Sequence, residues 1–214
     1  MDSRSAQDHL RVIRELMERA TIYRTISVPA ALFCGFLAVT VAFFALIPGP
    51  LQFLFSHHFV AVWIVVFLFS AAANTFFLVR SARQRREPFP SLRFRTALVA
   101  IGPAFLVAGA LTISLTRTGA SEIFIAICWI GMYGLALLST LTFAPRSLAM
   151  LGWAFVVTSC LCLGSLTPSY FFFSASNHLT MEQSGYFAMA TTFGLYHIVY
   201  GLAVMLYAHR HRNG

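Results

Sequence analysis

Residues 59–79 read FVAVWIVVFLFSAAANTFFLV, and no side chain in this run is charged. A helix needs about 20 mostly apolar residues to cross roughly 30 Å of hydrocarbon, and this run is long enough. It is bounded by His57 and His58 on one side and by Arg80 on the other. A charge at its centre would cost about 2.5–3.5 kcal/mol on insertion scales, so the absence of one favours a membrane-spanning helix.

Five further runs in the chain have the same length and character. The six predicted spans are Ile26–Ile47, Phe59–Val79, Thr96–Leu115, Glu122–Leu141, Leu148–Thr167 and Tyr186–Ala208. The only formally charged residue within them is Glu122, at the first position of the fourth span. We therefore predict an all-α membrane protein with six transmembrane helices, in which residues 26–208 form the bundle and residues 209–214 form a short tail.

The composition of the chain supports this class. Hydrophobic residues make up 58% of the sequence and charged residues only 10%, whereas an average soluble domain carries roughly 25% charged residues. Seven acidic and fifteen basic side chains are too few to cover the surface of a soluble protein of 214 residues. The four cysteines all fall within predicted spans, where we expect them to pack as small apolar side chains.

The arginines predict the orientation. The chain contains no lysine and has a formal net charge of +8. Every arginine except Arg117 lies before the first span, after the second, after the fourth or after the sixth, which are the segments on one side of the membrane. Because such residues are retained in the cytoplasm, both termini are predicted to be cytoplasmic. We therefore attribute the excess of arginines to membrane orientation and not to binding of nucleic acid.

A cytoplasmic basic patch of Arg80, Arg83, Arg85 and Arg86 is expected to meet anionic lipid head groups.

The leader, residues 1–25, has the pattern of a short amphipathic helix. Its apolar residues recur at helical spacing on one face, and charged residues lie opposite. The apolar set is Leu10, Ile13, Met17 and Ala20, and the ion pairs expected at i, i+4 are Arg11–Glu15 and Arg14–Glu18. This pattern predicts an interfacial helix on the inner membrane surface, with a docking helix for a partner or a second subunit as the alternative.

A histidine lies near the middle of the last span, in the segment GLYHIVYG at residues 194–201. His197 shares a helical face with Gly194 and Gly201, and small residues let another helix approach, so we expect this face to point into the bundle. A neutral imidazole there needs a hydrogen-bond partner. The candidate intramembrane polar site consists of His197, Tyr200, Tyr133, Ser70 and Asn74. It is either a proton-transfer, ligand or cofactor site or a set of hydrogen bonds that fixes helix packing.

A second cluster of polar residues is predicted at the outer surface. Histidine and carboxylate side chains occur there at the ends of several spans, namely His57, His58, His178, Glu182 and Glu122. Such side chains can bind zinc or another divalent ion, if the fold brings them together. The alternative is that they are solvated residues of the connecting loops.

Known catalytic motifs are missing from the sequence, including a nucleotide-binding P-loop, G-x-S-x-G and H-E-x-x-H. Three hypotheses about function follow. The first is a non-enzymatic membrane module that acts through partner proteins or as a sensor, with a homo-oligomer as one form. The second is a transporter of a small or proton-coupled solute with a site around His197. The third is a membrane enzyme with a bound metal or cofactor of unknown identity.

Parts of the chain resemble a family of small bacterial six-helix inner-membrane proteins. The likeness lies in IRELMERA at residues 13–20, in the glycine-bearing fourth and fifth spans, and in HIVYG at residues 197–201. The resemblance implies a bacterial inner-membrane location. It implies no activity, because none is assigned to that family.

Overall fold

The computed structural model describes residues 28–49, 52, 55, 57–84, 86, 90, 92–142, 144–165 and 181–210. All regular structure in these ranges is helical. In chain order, the helices are α1 (Val28–Leu46), α2 (Phe59–Gln84), α3 (Leu92–Arg117), α4 (Glu122–Leu138), α5 (Arg146–Ser165) and α6, which consists of Met181–Met189, Ala190–Tyr196 and His197–Arg210.

Five of these helices, α1, α2, α3, α5 and α6, are long and apolar enough to cross a membrane. Together with the composition, they are typical of a multi-pass membrane protein. The helix α4 is equally apolar but contains 17 residues, one turn fewer than most spans. The predicted leader helix, residues 1–25, lies outside the described residues.

The shortest helix, α4, lies at the centre of the bundle. It packs against α3, α5 and the first part of α6. Its buried residues lie on two opposite sides of the helix, and Phe124 and Leu135 between them are exposed. The buried set is Ile123, Ile125, Ala126, Ile127, Ile130, Gly134 and Ala136. Two glycines bring α5 very close, because a Cβ on Gly134 would lie 2.9 Å from the carbonyl oxygen of Gly152. Ser159 of α5 also donates a hydrogen bond of 3.0 Å to the carbonyl of Ile127.

The first and last helices are in similarly close contact. A Cβ on Gly35 of α1 would lie 2.8 Å from the carbonyl oxygen of Gly194 in α6, and one on Gly201 would lie 2.8 Å from Leu32. The inner face of α1 otherwise carries small buried residues, Ala31, Ala38, Ala42 and Ala45. Small side chains let the two backbones approach, which is how helices associate where lipid removes the usual hydrophobic driving force.

A tight link joins α3 to α4. Gly119 has a φ of +69°, its N–H donates to Thr116, and the next N–H, of Ala120, donates to Leu115. This pair of bonds is a Schellman motif, which needs a left-handed residue and therefore favours glycine. Ser121 occupies the N-cap position of α4, but its hydroxyl makes no capping hydrogen bond.

An aromatic cluster joins the ends of α2, α4 and α6 on the side of this link. The ring of Phe59 lies 5.0 Å from that of Tyr186 and 6.0 Å from that of Trp129. The hydroxyl of Tyr186 donates to the carbonyl of Phe55 at 2.7 Å, and the indole N–H of Trp129 donates to the hydroxyl of Thr112 at 2.7 Å. The polar tips of Tyr186 and Trp129 are thus satisfied inside the protein, whereas the buried indole N–H of Trp63 makes no hydrogen bond with the described residues.

Candidate functional site

The histidine of the last span is buried beside a widened stretch of α6. Residues Ala190–Tyr196 form a π-helix, and His197 begins the α-helical part that follows. The side chain of His197 is only 7% exposed. Gly194 and Gly201 face α1, so the prediction that this part of α6 points into the bundle is confirmed. Single π-turns inside α-helices often occur at functional sites.

One predicted neighbour of His197 is in direct contact with it. The Oη of Tyr133, on α4, lies 2.8 Å from Nε2 of the imidazole. Either group can donate, depending on which ring nitrogen carries the proton. With the proton on Nδ1, the Tyr133 hydroxyl donates to Nε2; with the proton on Nε2, the imidazole donates to Oη.

Aromatic rings enclose this pair. The centroid of the imidazole lies 5.5 Å from the ring of Tyr133, 5.6 Å from that of Phe155 and 6.2 Å from that of Phe193, which is stacked on it. Phe155, on α5, is fully buried and contacts all of these rings. A phenol–imidazole pair can pass a proton along its hydrogen bond, but this enclosure separates it from water on these sides.

Two polar atoms of α6 are buried without a hydrogen bond within the part of the chain that the structure describes. They are Nδ1 of His197 and Oη of Tyr200. Residues three apart share a helical face, so both atoms belong to the inner side of α6. The neighbouring Tyr196 is satisfied, because its hydroxyl lies 2.8 Å from that of Thr158 on α5.

The two predicted polar residues of α2 are not among the groups that contact His197. Ser70 is partly buried, and the thiol of Cys34 on α1 lies 3.9 Å from its backbone carbonyl oxygen. Asn74 is exposed. Hydropathy gives the depth of a residue but not its direction around the helix, and the expectation that Asn74 lines an inner site with His197 is therefore not met.

The candidate metal ligands are only partly described. His57 and His58 are exposed before α2, and Glu122 begins α4 beside Gly185. His178 and the side chain of Glu182 lie outside the described residues. Among the side chains that are described, no three metal-binding groups come together, and the outer metal site stays a prediction.

The basic patch is described at three of its four positions. Arg80 and Arg83 are exposed in the last turns of α2, where the helix dipole favours cations. Arg86 is exposed with a φ of 56°, and Arg85 lies outside the described residues.

Several residues of the site were not identified from the sequence. Phe155, Phe193, Tyr196 and Thr158 complete the enclosure of His197, yet the chain contains 22 phenylalanines. Their positions near the middle of the spans indicate their depth in the membrane. Depth alone does not distinguish them from phenylalanines that face lipid. The comparisons add no further residues, because no protein-family model, curated protein or solved structure matches this chain.

Proposed function

We propose that this protein is a six-span inner-membrane module that acts by binding other protein surfaces within the bilayer. Both termini lie in the cytoplasm in this proposal. The observation that carries it is the distribution of polarity: the histidine of the core is enclosed by rings, while the amide of Asn74 and the small residues beside it on α2 face outward. Polar and small residues on an outer face favour contact with another helix over contact with lipid.

Six spans are supported by the position of α4. Its 17 residues give a length of about 25 Å at 1.5 Å per residue, slightly less than the hydrocarbon thickness. The chain continues in helical turns, in which Ser139, Thr140 and Leu141 donate to carbonyls three or four residues back. Because α3, α5 and the first part of α6 pack against α4, most of its surface meets protein, and its ends need not reach lipid head groups on their own.

The orientation is supported by the ends of α2 and α3. Arg80, Arg83, Arg86 and Arg95 lie where α2 ends and α3 begins, whereas only Arg117 stands at the opposite end of α3 among the described residues. Arginine is retained on the cytoplasmic side during insertion, so the Arg-rich ends are assigned there. The resemblance to small bacterial inner-membrane proteins supports the same location.

Site-specific photo-crosslinking in bacterial membranes tests the proposal. A photoreactive amino acid replaces Ala72, which is exposed on α2, or Met150, which is 74% exposed on α5 and serves as the control. We expect discrete protein adducts from position 72 and mainly lipid adducts from position 150. Lipid adducts alone at both positions would overturn the proposal.

A second candidate function, proton-coupled transport, is favoured by one observation. Nδ1 of His197 and Oη of Tyr200 are buried, share one face of α6 and make no hydrogen bond with the described residues. Such groups can exchange protons with a solute that reaches them. In proteoliposomes with an entrapped pH-sensitive dye, wild-type protein would then carry protons and His197→Gln would not. Equal rates for protein-free and protein-containing vesicles would eliminate this candidate.

A further inference from the structure

Side chains of α2 are fully buried over its first turns only, and beyond them one side of the helix is partly buried. Its buried side chains are Phe59, Trp63 and Val66, and none of the residues from there to Gln84 is buried. The neighbouring helix α3 touches it through Phe67 and Phe105, whose ring centroids are 5.3 Å apart. In α3 itself, Ala108 is the one buried hydrophobic residue with a described side chain. The cytoplasmic half of α2 therefore presents a long free surface within the membrane.

The residues on this surface are unusual for one that meets lipid. The segment SAAANT, residues 70–75, consists of small side chains, and Ala71, Ala72, Asn74 and Thr75 are exposed. Large residues flank it, because Phe69 is 61% and Phe76 is 60% exposed. Lipid tails fill the space beside large and small side chains equally well, but a second helix gains most contact where the side chains are small.

The amide of Asn74 is the polar feature of this surface. It lies six positions before Arg80, which places it about 9 Å deeper along the helix, inside the hydrocarbon. The hydroxyl of the adjacent Thr75 is satisfied by its own helix, since it donates to the carbonyl of Ala71 at 2.8 Å. An amide has two donors and an acceptor, which lipid cannot satisfy.

We infer that this surface, Ala71, Ala72, Asn74 and Thr75 on α2, binds the same surface of a second copy of the chain. A twofold axis through it places the two Asn74 amides opposite each other, and each offers the donor and the acceptor that the other needs. A different partner would have to supply a matching polar group at this depth, whereas a second copy does so by symmetry. The inference rests on the proposed function and names the partner.

Reconstitution in liposomes at a series of protein-to-lipid ratios tests the inference. Labelled protein is counted by single-molecule photobleaching steps, and the dimer fraction is plotted against the ratio. For Asn74→Leu we expect a dimer midpoint shifted about tenfold toward higher protein, because interhelical hydrogen bonds in membranes have roughly this effect. Asn74→Gln keeps the amide and should retain the dimer, while Thr116→Val, an exposed position at the end of α3 whose hydroxyl donates to its own helix, should match the wild type. A monomeric wild type, or a midpoint unchanged by Asn74→Leu, would overturn the inference.

Disulfide formation provides a second measurement that does not depend on stability. In a chain in which Cys34, Cys128, Cys160 and Cys162 are replaced by alanine, Ala71→Cys should form a disulfide-linked dimer under mild oxidation, while Met150→Cys should not. Equal dimer formation at both positions, or none at position 71, contradicts the inference. Adducts of position 72 with a different protein, together with a monomer in liposomes, would leave the proposed function standing while this inference fails.

Discussion

At the scale of single residues, the bond between His197 and Tyr133 distinguishes a packing role from a proton-transfer role. Both roles require the imidazole to be buried and bonded at Nε2. The two roles differ in the effect expected when the imidazole is removed. A packing residue contributes to the free energy of unfolding, whereas a transport residue can be replaced by a group of similar shape with loss of flux and little loss of stability.

We predict that Tyr133→Phe lowers the free energy of unfolding by about 1 kcal/mol, because it leaves Nε2 of His197 buried without its hydrogen-bond partner. His197→Ala should cost more, about 2–4 kcal/mol, since it also leaves a cavity among Tyr133, Phe155 and Phe193. Thermal unfolding in nanodiscs, read from tryptophan fluorescence, measures both effects.

The matched control is Val199→Ala, on the same helix but 57% exposed, which should change the unfolding midpoint much less. Normal stability of His197→Ala would contradict the packing role. If that variant were stable and also lost a proton flux seen in the wild type, the transport candidate would replace the proposed function.

At the scale of the helices, the contact between α1 and α6 depends on the absence of side chains. The Cβ of an alanine at position 35 would lie 2.7 Å from Cγ1 of Ile198 and 2.8 Å from the carbonyl oxygen of Gly194. The carbonyl belongs to the backbone and cannot rotate away, so the two helices would have to separate. Their separation would also disturb α6 next to His197.

Gly35→Ala is therefore predicted to destabilise the protein by about 1–3 kcal/mol, the usual range for an overpacked core. Gly109→Ala on α3 is the matched control, because a Cβ there meets nothing within 4 Å. The control should be neutral or slightly stabilising, since alanine favours a helix over glycine by up to about 1 kcal/mol. Equal midpoints for the two variants would show that the close α1–α6 contact is not formed.

Much of the helical architecture could be predicted because a membrane makes sequence patterns unambiguous. The predicted run Phe59–Val79 lies within α2, which continues to Gln84 because a helix can extend into water beyond the last apolar residue. The π-helical segment Ala190–Tyr196 was not predicted. Its extra residue is accommodated by contacts with α1, α4 and α5, and nothing in the local periodicity records it.

The candidate site was predictable in depth but not in direction. Tyr133 was correctly placed at the level of His197, since both lie near the middle of their spans. Asn74 was assigned to the same region, yet it is exposed on α2. All faces of α2 are apolar apart from a few residues, so the sequence carries almost no information about which face is turned inward.

At the scale of the whole molecule, the positions of the arginines and the number of spans together predict on which side of the membrane each connecting segment lies. If α4 crosses the membrane, the link between α3 and α4 and the turn after α4 lie on opposite sides. If α4 were only a buried core helix, both would lie on the same side, and the chain would have the five spans found by length alone. In the proposed orientation the Arg-rich end of α2 is cytoplasmic, and it serves as the reference for the other positions.

Cysteine accessibility distinguishes these topologies. In the variant without native cysteines, Gln84→Cys, Thr118→Cys and Thr142→Cys place single thiols at exposed positions after α2, α3 and α4. With a membrane-impermeant maleimide on intact spheroplasts, we expect labelling of position 118 only, and of positions 84 and 142 after permeabilisation. Because α3, α5 and α6 cover most of α4, 17 residues suffice for it to connect the two sides. Labelling of position 142 from outside would reduce the bundle to five spans, and it would move Arg146 to the outer surface, against the direction in which arginines orient membrane helices.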